Sequence, residues 1–330
     1  MLLMNDEERV VGAGIEGGKF GARHPIGVVS RRTGVSLHVL RAWERRYGVV
    51  EPARTAGGQR LYSDADIERL RLLRQVTDAG RNISQVSDLP VEDLRRLVVE
   101  DAQQAAAGAV VDRAGGNGTA GYVARSLAAA ARLDGEAVHG TLMRAVVSLR
   151  PAEFLDEVLM PLLREVGERW HAGAFSPAQE HVVSVASRRV VTWLVDAYES
   201  PEDGPLLLVT TVAGEQHEFG ALMVAVVALD AGWRVAYLGT SLPAAEIVKS
   251  ARLLDVDGVA LSLVNRDGVD EAVEEAAAVR AALPATVDVM VGGGGAAARR
   301  SRLEGHGVVV LATAQDLRDL LHIRGEGVRS

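Results

Sequence analysis

A chain of 330 residues, 48% of them hydrophobic, has room for two or three domains with sizeable cores. No apolar run approaches a membrane span, Met1–Gly21 is acidic and glycine-rich, unlike a signal peptide, and the lack of cysteine excludes disulfides and thiolate metal sites. A cytoplasmic location with no membrane partner is therefore expected.

The net charge of −8 conceals a basic island. His24 to Tyr62 carries seven arginines against Glu44 and Glu51, a local +5 that leaves −13 for the remainder. Such an island on an acidic protein marks one face for phosphate. Upstream of it, residues 1–22 hold five glycines and no sustained periodicity, and are expected to form a disordered tail. Pro25 opens a short helix, Ile26 to Thr33, that ends at Gly34; Ser36 is a good N-cap for a second, Leu37 to Tyr47, that ends at Gly48. Two short helices joined by a glycine-containing turn of about three residues describe a helix-turn-helix. The second carries His38, Arg41, Arg45 and Arg46, with Val39, Leu40 and Trp43 for its inner side. Gly57-Gly58 then suggests a hairpin whose Arg54 and Arg60 flank a DNA backbone, and Ser63-Asp64 caps a third helix, Ala65 to Ala79.

Taken singly, each arginine reads as a solvated charge; their clustering in helix, turn, helix and wing points to DNA. Leu40-Arg41-Ala42-Trp43-Glu44-Arg45-Arg46-Tyr47-Gly48, with Pro52, Arg54-Thr55 and Gly58-Gln59-Arg60-Leu61-Tyr62-Ser63, resembles the winged helix-turn-helix domain of MerR regulators. That resemblance implies a DNA-binding domain over residues 23–99, with operator DNA as partner. Arg41 and Arg45 would lie in the major groove, Arg54, Arg60 and Tyr62 on phosphate or the minor groove, and Arg31 and His38 would add to the DNA face.

No sustained heptad follows. Val91–Val99 is short and residues 103–121 turn alanine-rich, then glycine-rich, so 100–120 read as a flexible linker, leaving oligomerisation to the C-terminal half. Residues 121–200 hold four helical patterns: Tyr122–Arg132, Gly135–Leu149, Ala152–His171 and Pro177–Glu199. Ser176-Pro177-Ala178-Gln179 is a capping box that fixes the start of the last helix. Trp170 and His171 close one helix, while Glu180 and His181 lie in the second turn of the next, so the four can converge at one end of a four-helix bundle. Periodicity alone also permits a core tryptophan and a surface Glu180–His181 pair.

In residues 201–330, the apolar run Leu206–Val209 reads as a buried strand and Ala221–Leu229 as the helix behind it. His217 thus falls in a loop at the carboxyl end of a strand, where open α/β sheets place ligands. Glu215 is spaced to orient its ring, and Gly220 removes a side chain where a planar cofactor must come close. A solvated histidine is the plain alternative. Ser262-Leu263 ends a second strand, Gly258–Leu261, and Gly292–Gly295 follows a third, Val287–Val291. The three motifs in this order resemble the cobalamin-binding domain of methionine synthase and its relatives, with Glu215 where many members have Asp. The resemblance implies a Rossmann-like, flavodoxin-like parallel sheet with His217 as lower axial cobalt ligand. The displaced nucleotide tail would run along Ser262, Leu263, Gly292 and Gly293.

Trp170, nine intervening residues, then Glu180-His181, within this three-part order, resembles the CarH/LitR-type cobalamin photoreceptor regulators over nearly all of the chain after residue 23. This implies adenosylcobalamin held between bundle and sheet domain. Trp170 would pack on the adenosyl group, Glu180 and His181 would enclose it, and His171 could take the upper position on cobalt after light. The function implied is a light-responsive repressor: a dark homo-oligomer, in relatives a tetramer, binds operator DNA, and light cleaves the cobalt–carbon bond, disassembles the oligomer and releases DNA. A helix-turn-helix upstream of a ligand domain argues against an enzyme, and Gly292–Gly295 lacks the Lys-Ser/Thr of a phosphate loop. Two other readings remain: a light-independent, cobalamin-sensing or apo-active MerR-type regulator, and a corrinoid methyl-carrier component.

Overall fold

The computed structural model describes residues 21, 23–108, 118–198, 203–264 and 269–328, which divide into two units between residues 111 and 112. The expected tail lies outside the described residues, Gly21 apart.

In the first unit, β1 (His24–Pro25) leads into α1 (Ile26–Thr33) and α2 (Leu37–Tyr47). A hairpin of β2 (Ala53–Arg54) and β3 (Arg60–Tyr62) precedes α3 (Asp64–Asp78), α4 (Ile83–Val86) and α5 (Val91–Gly108). Gly34 and Gly48 end the first two helices at φ 70° and 57°, a region that favours a residue without Cβ. Ser63 forms a capping box with Asp66, but the hydroxyl of Ser36 makes no capping bond and lies 3.5 Å from His38 Nε2. β1 pairs antiparallel with β3, so the wing has one strand more than the expected hairpin. Val39, Leu40 and Trp43 of α2 are buried with Val29, Leu70, Leu73 and Val76, as the helical period requires.

The linker expected from residue 100 is helical as far as Gly108. The stretch is rich in alanine and glutamine, strong helix formers, and Arg81 forks onto Asp101 at 2.6 and 3.0 Å, which ties the helix down beyond its expected end. Residues 109–117 lie outside the described residues.

The second unit opens with α6 (Thr119–Ala131), α7 (Gly135–Ser148) and α8 (Pro151–Phe154), the last passing through a π-helical stretch, Leu155–Leu159, into α9 (Met160–His171). With α10 (Pro177–Ala197) these make the four expected helices; Ser176 caps α10 as anticipated, and Asp134 caps α7. Then come β4 (Leu206–Thr210), α11 (Phe219–Asp230), β5 (Arg234–Tyr237), α12 (Ala244–Leu254), β6 (Gly258–Ser262) and α13 (Val269–Ala282). β7 (Asp288–Gly292), α14 (Gly294–Ala298), α15 (Arg300–Gly305), β8 (Val309–Leu311) and α16 (Ala314–Val328) complete the chain.

The five strands are parallel in the order β5-β4-β6-β7-β8, the flavodoxin-like arrangement, whose topological switch lies between β4 and β6. α11 is apolar nearly all round and is correspondingly buried, packed against β4 and β6 of the sheet and against α8 and α10 of the bundle. Polar ties reinforce that junction: the Tyr198 hydroxyl donates to Asp230 at 3.0 Å, and Arg318 of α16 meets Asp156, within the π-helical stretch, at 2.9 Å. Among the described residues, no helix is long and apolar enough to cross a membrane.

Candidate functional site

The loop after β4 is built on Thr211. Its hydroxyl donates to the Glu215 carbonyl at 2.6 Å and accepts from the Ser241 amide at 2.8 Å, while Ser241 Oγ accepts from the Gly214 amide at 3.1 Å. Ser241 itself is held at φ 59°, a conformation unusual for a residue with a Cβ. This bracing sets Glu215 inside the protein, 4% exposed, where its carboxylate accepts three bonds. One oxygen takes the His217 amide at 2.8 Å and His217 Nδ1 at 2.6 Å; the other takes the Val264 amide at 2.9 Å. The buried acid thereby holds the proton on Nδ1, leaving Nε2 as a lone-pair donor on a side chain that is 59% exposed. Among the described residues no group of three or more acids and histidines could hold a bare ion.

The glycines of this region sit at close approaches between β4, β6 and β7 and their loops. A Cβ on Gly220 would lie 2.1 Å from Ser262 Oγ, so the glycine lets the serine hydroxyl approach the start of α11. Gly293 has φ 107°, and a Cβ there would lie 2.2 Å from the Leu263 carbonyl oxygen. Gly292 accepts from the Leu263 amide at 2.8 Å, and Leu263 in turn accepts from Gly295 at 3.0 Å. Ser262 and Leu263 are both buried. Their spacing locks β6 against β7 beside the His217 loop.

At the bundle end, a turn built on Gly173 (φ 70°) joins α9 to α10, with the Ala174 and Phe175 amides donating to the Arg169 carbonyl and Phe175 buried. Trp170 stands 47% exposed and meets the His171 ring edge-on at 4.8 Å between centroids. It is therefore not the core tryptophan that periodicity also allowed. His171 Nδ1 bonds the Gly167 carbonyl at 2.7 Å, leaving its Nε2 unengaged by the backbone of its own helix. Glu180 is shared by His181 and the Ser184 hydroxyl. Two turns along α10, about 12 Å at 1.5 Å per residue, Arg188 pairs with Glu218, the neighbour of His217. One helix thus spans both halves of the candidate site. Periodicity marked neither Arg188, whose side chain is 60% exposed, nor Glu218, which precedes α11 at 18% exposure, because the pair joins elements far apart in the sequence.

On the first unit's basic face, Arg31, Arg41, Arg45 and Arg54 are exposed. Three expected DNA-binding residues differ. Tyr62 is fully buried and donates to Glu44 at 3.2 Å; burial and that carboxylate push its hydroxyl pKa up. Arg60 Nε bonds both Glu44 oxygens at 3.0 Å. His38 is largely buried, and desolvation together with Arg41 lowers its pKa to about 4. Arg69 was not foreseen: it donates to the carbonyls of Val49 at 2.6 Å, of Leu89 at 2.8 Å and of Ser87, clamping the turn between α4 and α5.

A winged helix-turn-helix in one unit, and a helical bundle packed on a flavodoxin-like sheet in the other, are the parts of a DNA-binding regulator with a ligand-binding domain. Family models agree: MerR HTH family regulatory protein matches residues 25–89, and two B12 binding domain models match 123–194 and 205–321. The chain is 34% identical to the HTH-type transcriptional repressor CarH of Myxococcus xanthus, over 88% of this chain and 95% of that protein. It is 30% identical to CarA of the same organism, over 82% and 86% respectively. The chain belongs to the CarH-type family of transcriptional regulators and is not an enzyme. The monomethylamine corrinoid protein of Methanosarcina barkeri shares the fold of the second unit, with a TM-score of 0.50 at 14% identity over 60% of this chain and 96% of that one.

Proposed function

We propose that the chain is a light-responsive cytoplasmic repressor that takes adenosylcobalamin between bundle and sheet. The observation that carries this reading is the hydrogen bond from His217 Nδ1 to the buried Glu215 carboxylate, which leaves Nε2 exposed for cobalt at the carboxyl end of β4. When bound, adenosylcobalamin supplies a cobalt–carbon bond that light breaks. Side chains of the protein do the rest. Trp170 offers an exposed indole to the adenosyl group, with Glu180 and His181 one helix turn away from the start of α10 to hold its polar atoms. His171, anchored through Nδ1 to the Gly167 carbonyl, would have Nε2 to offer the metal in place of that group. Contacts that Trp170 would make with an adenosyl group in one state and lose in the other would be able to bias the bundle between them. A dark tetramer presents several DNA-binding domains to repeated operator sites, so assembly controls affinity through effective concentration.

Size-exclusion chromatography of apoprotein and of adenosylcobalamin-loaded protein, kept dark or exposed to green light, tests this reading. Only the dark loaded protein should elute as the larger species. Identical elution in all three states would contradict the proposal. Assembly that ignores light, or forms equally well with methylcobalamin, would indicate a light-independent cobalamin sensor instead.

A further inference from the structure

We propose that Glu44 is a positioning residue that fastens the wing to α2 and withholds Arg60 from DNA phosphate, leaving Arg54 as the wing's phosphate contact. The proposal rests on DNA binding by the first unit. A carboxylate on a helix that also carries Arg41, Arg45 and Arg46 is out of place on a surface meant for a polyanion. Its surroundings explain it. Arg60 and Tyr62 are two residues apart on β3, so both side chains leave the same face of the strand, and both end on Glu44. The pair is largely shielded from water, at 17% side-chain exposure for Arg60 and 15% for Glu44, so salt screens it weakly. The Tyr62 hydroxyl, fully buried, has its bond to the same carboxylate; removing Glu44 strips both wing residues of this partner.

The hairpin register adds a second argument. Arg54 stands directly opposite Arg60 across the two strands, a like-charge pairing that is unfavourable on its own. With Arg60 neutralised by Glu44, the repulsion is relieved. Arg54, exposed and reaching toward the Gly58 carbonyl at 3.5 Å, is then the cation at the wing tip. Arg60 already has both carboxylate oxygens at 3.0 Å, so moving it to phosphate would leave a partly buried anion beside the DNA.

The salt dependence of DNA binding by the full-length protein tests this, using a duplex of arbitrary sequence between about 50 and 200 mM KCl. Each phosphate contact contributes about 0.9 to the slope of log affinity against log salt. Arg54→Gln should make the slope shallower by about 0.9 for each DNA-bound domain, and Arg60→Gln should leave it unchanged while weakening binding through a looser wing. Glu44→Gln should steepen the slope by up to the same amount, because Arg60 is released to phosphate. Should Glu44→Gln fail to fold, Arg60→Gln still decides the matter. A slope lowered by Arg60→Gln as much as by Arg54→Gln would overturn the proposal. A wild-type slope near zero would instead overturn the DNA reading beneath it, and the proposal with it.

Discussion

Replacing Glu215 by glutamine keeps the shape of the side chain and removes only what its carboxylate does. Three donors converge on that group: the His217 amide and Nδ1 on one oxygen, the Val264 amide on the other. A glutamine has one acceptor oxygen, so its NH2 must face a donor in either orientation. If the oxygen stays with His217, the NH2 opposes the Val264 amide in a buried place, at a cost of about 1–3 kcal/mol. If it turns, Nδ1 must give up its proton and Nε2, the nitrogen required for cobalt, becomes the protonated one. Loss of charge also weakens the bonds that remain, since charge-assisted hydrogen bonds are about twice as strong as neutral ones. A 10- to 100-fold loss of cobalamin affinity, about 1.4–2.8 kcal/mol, is therefore expected. Titration of apoprotein with adenosylcobalamin in the dark, followed by absorbance, measures it. Affinity within about twofold of wild type would refute the reasoning that the acid orients the histidine for metal.

Gly293→Ala should be strongly destabilising, since φ 107° costs about 1–3 kcal/mol for alanine and its Cβ would strike the Leu263 carbonyl; unchanged thermal melting would contradict this. Trp170→Ala should weaken dark assembly while leaving cobalamin affinity within a few-fold, and loss of both together would show that the indole supports the corrin site as a whole. His38 has its folded pKa lowered from 6.5 to about 4, so the stability tied to its neutral form is complete above pH 6.5 and is lost as pH falls toward 4. The difference of about 2.5 units corresponds to about 3 kcal/mol at most. Urea unfolding of wild type and His38→Gln across that window should show a shallower acid loss in the variant, and identical pH profiles would refute it.

The sequence carried much of this architecture because local signals agreed. Gly34 and Gly48 mark helix ends, and Ser63, Asp134 and Ser176 sit at caps that the structure forms. Buried strands β4, β6 and β7 announced themselves as apolar runs, whereas β5 and β8 are short, only four and three residues long, and were not foreseen. Pairwise tertiary chemistry was not legible. Nothing in periodicity distinguishes an arginine aimed at phosphate from Arg60, which is held by an acid sixteen residues earlier. The same holds for Gly220, whose small size serves Ser262, 42 positions away. The Glu215–His217 relation was readable because it is local, two residues apart in one loop.

The most direct test of the central claim asks which nitrogen lies beneath cobalt. Protein labelled with 15N in histidine only can be loaded with cob(II)alamin carrying natural-abundance 14N, and the electron paramagnetic resonance spectrum recorded. Coordination by His217 requires each cobalt line to split into a doublet from 15N, with the doublet lost in His217→Ala. A triplet from 14N in the wild-type complex would mean that the cofactor's own base holds the metal, and the site described above would not be its ligand.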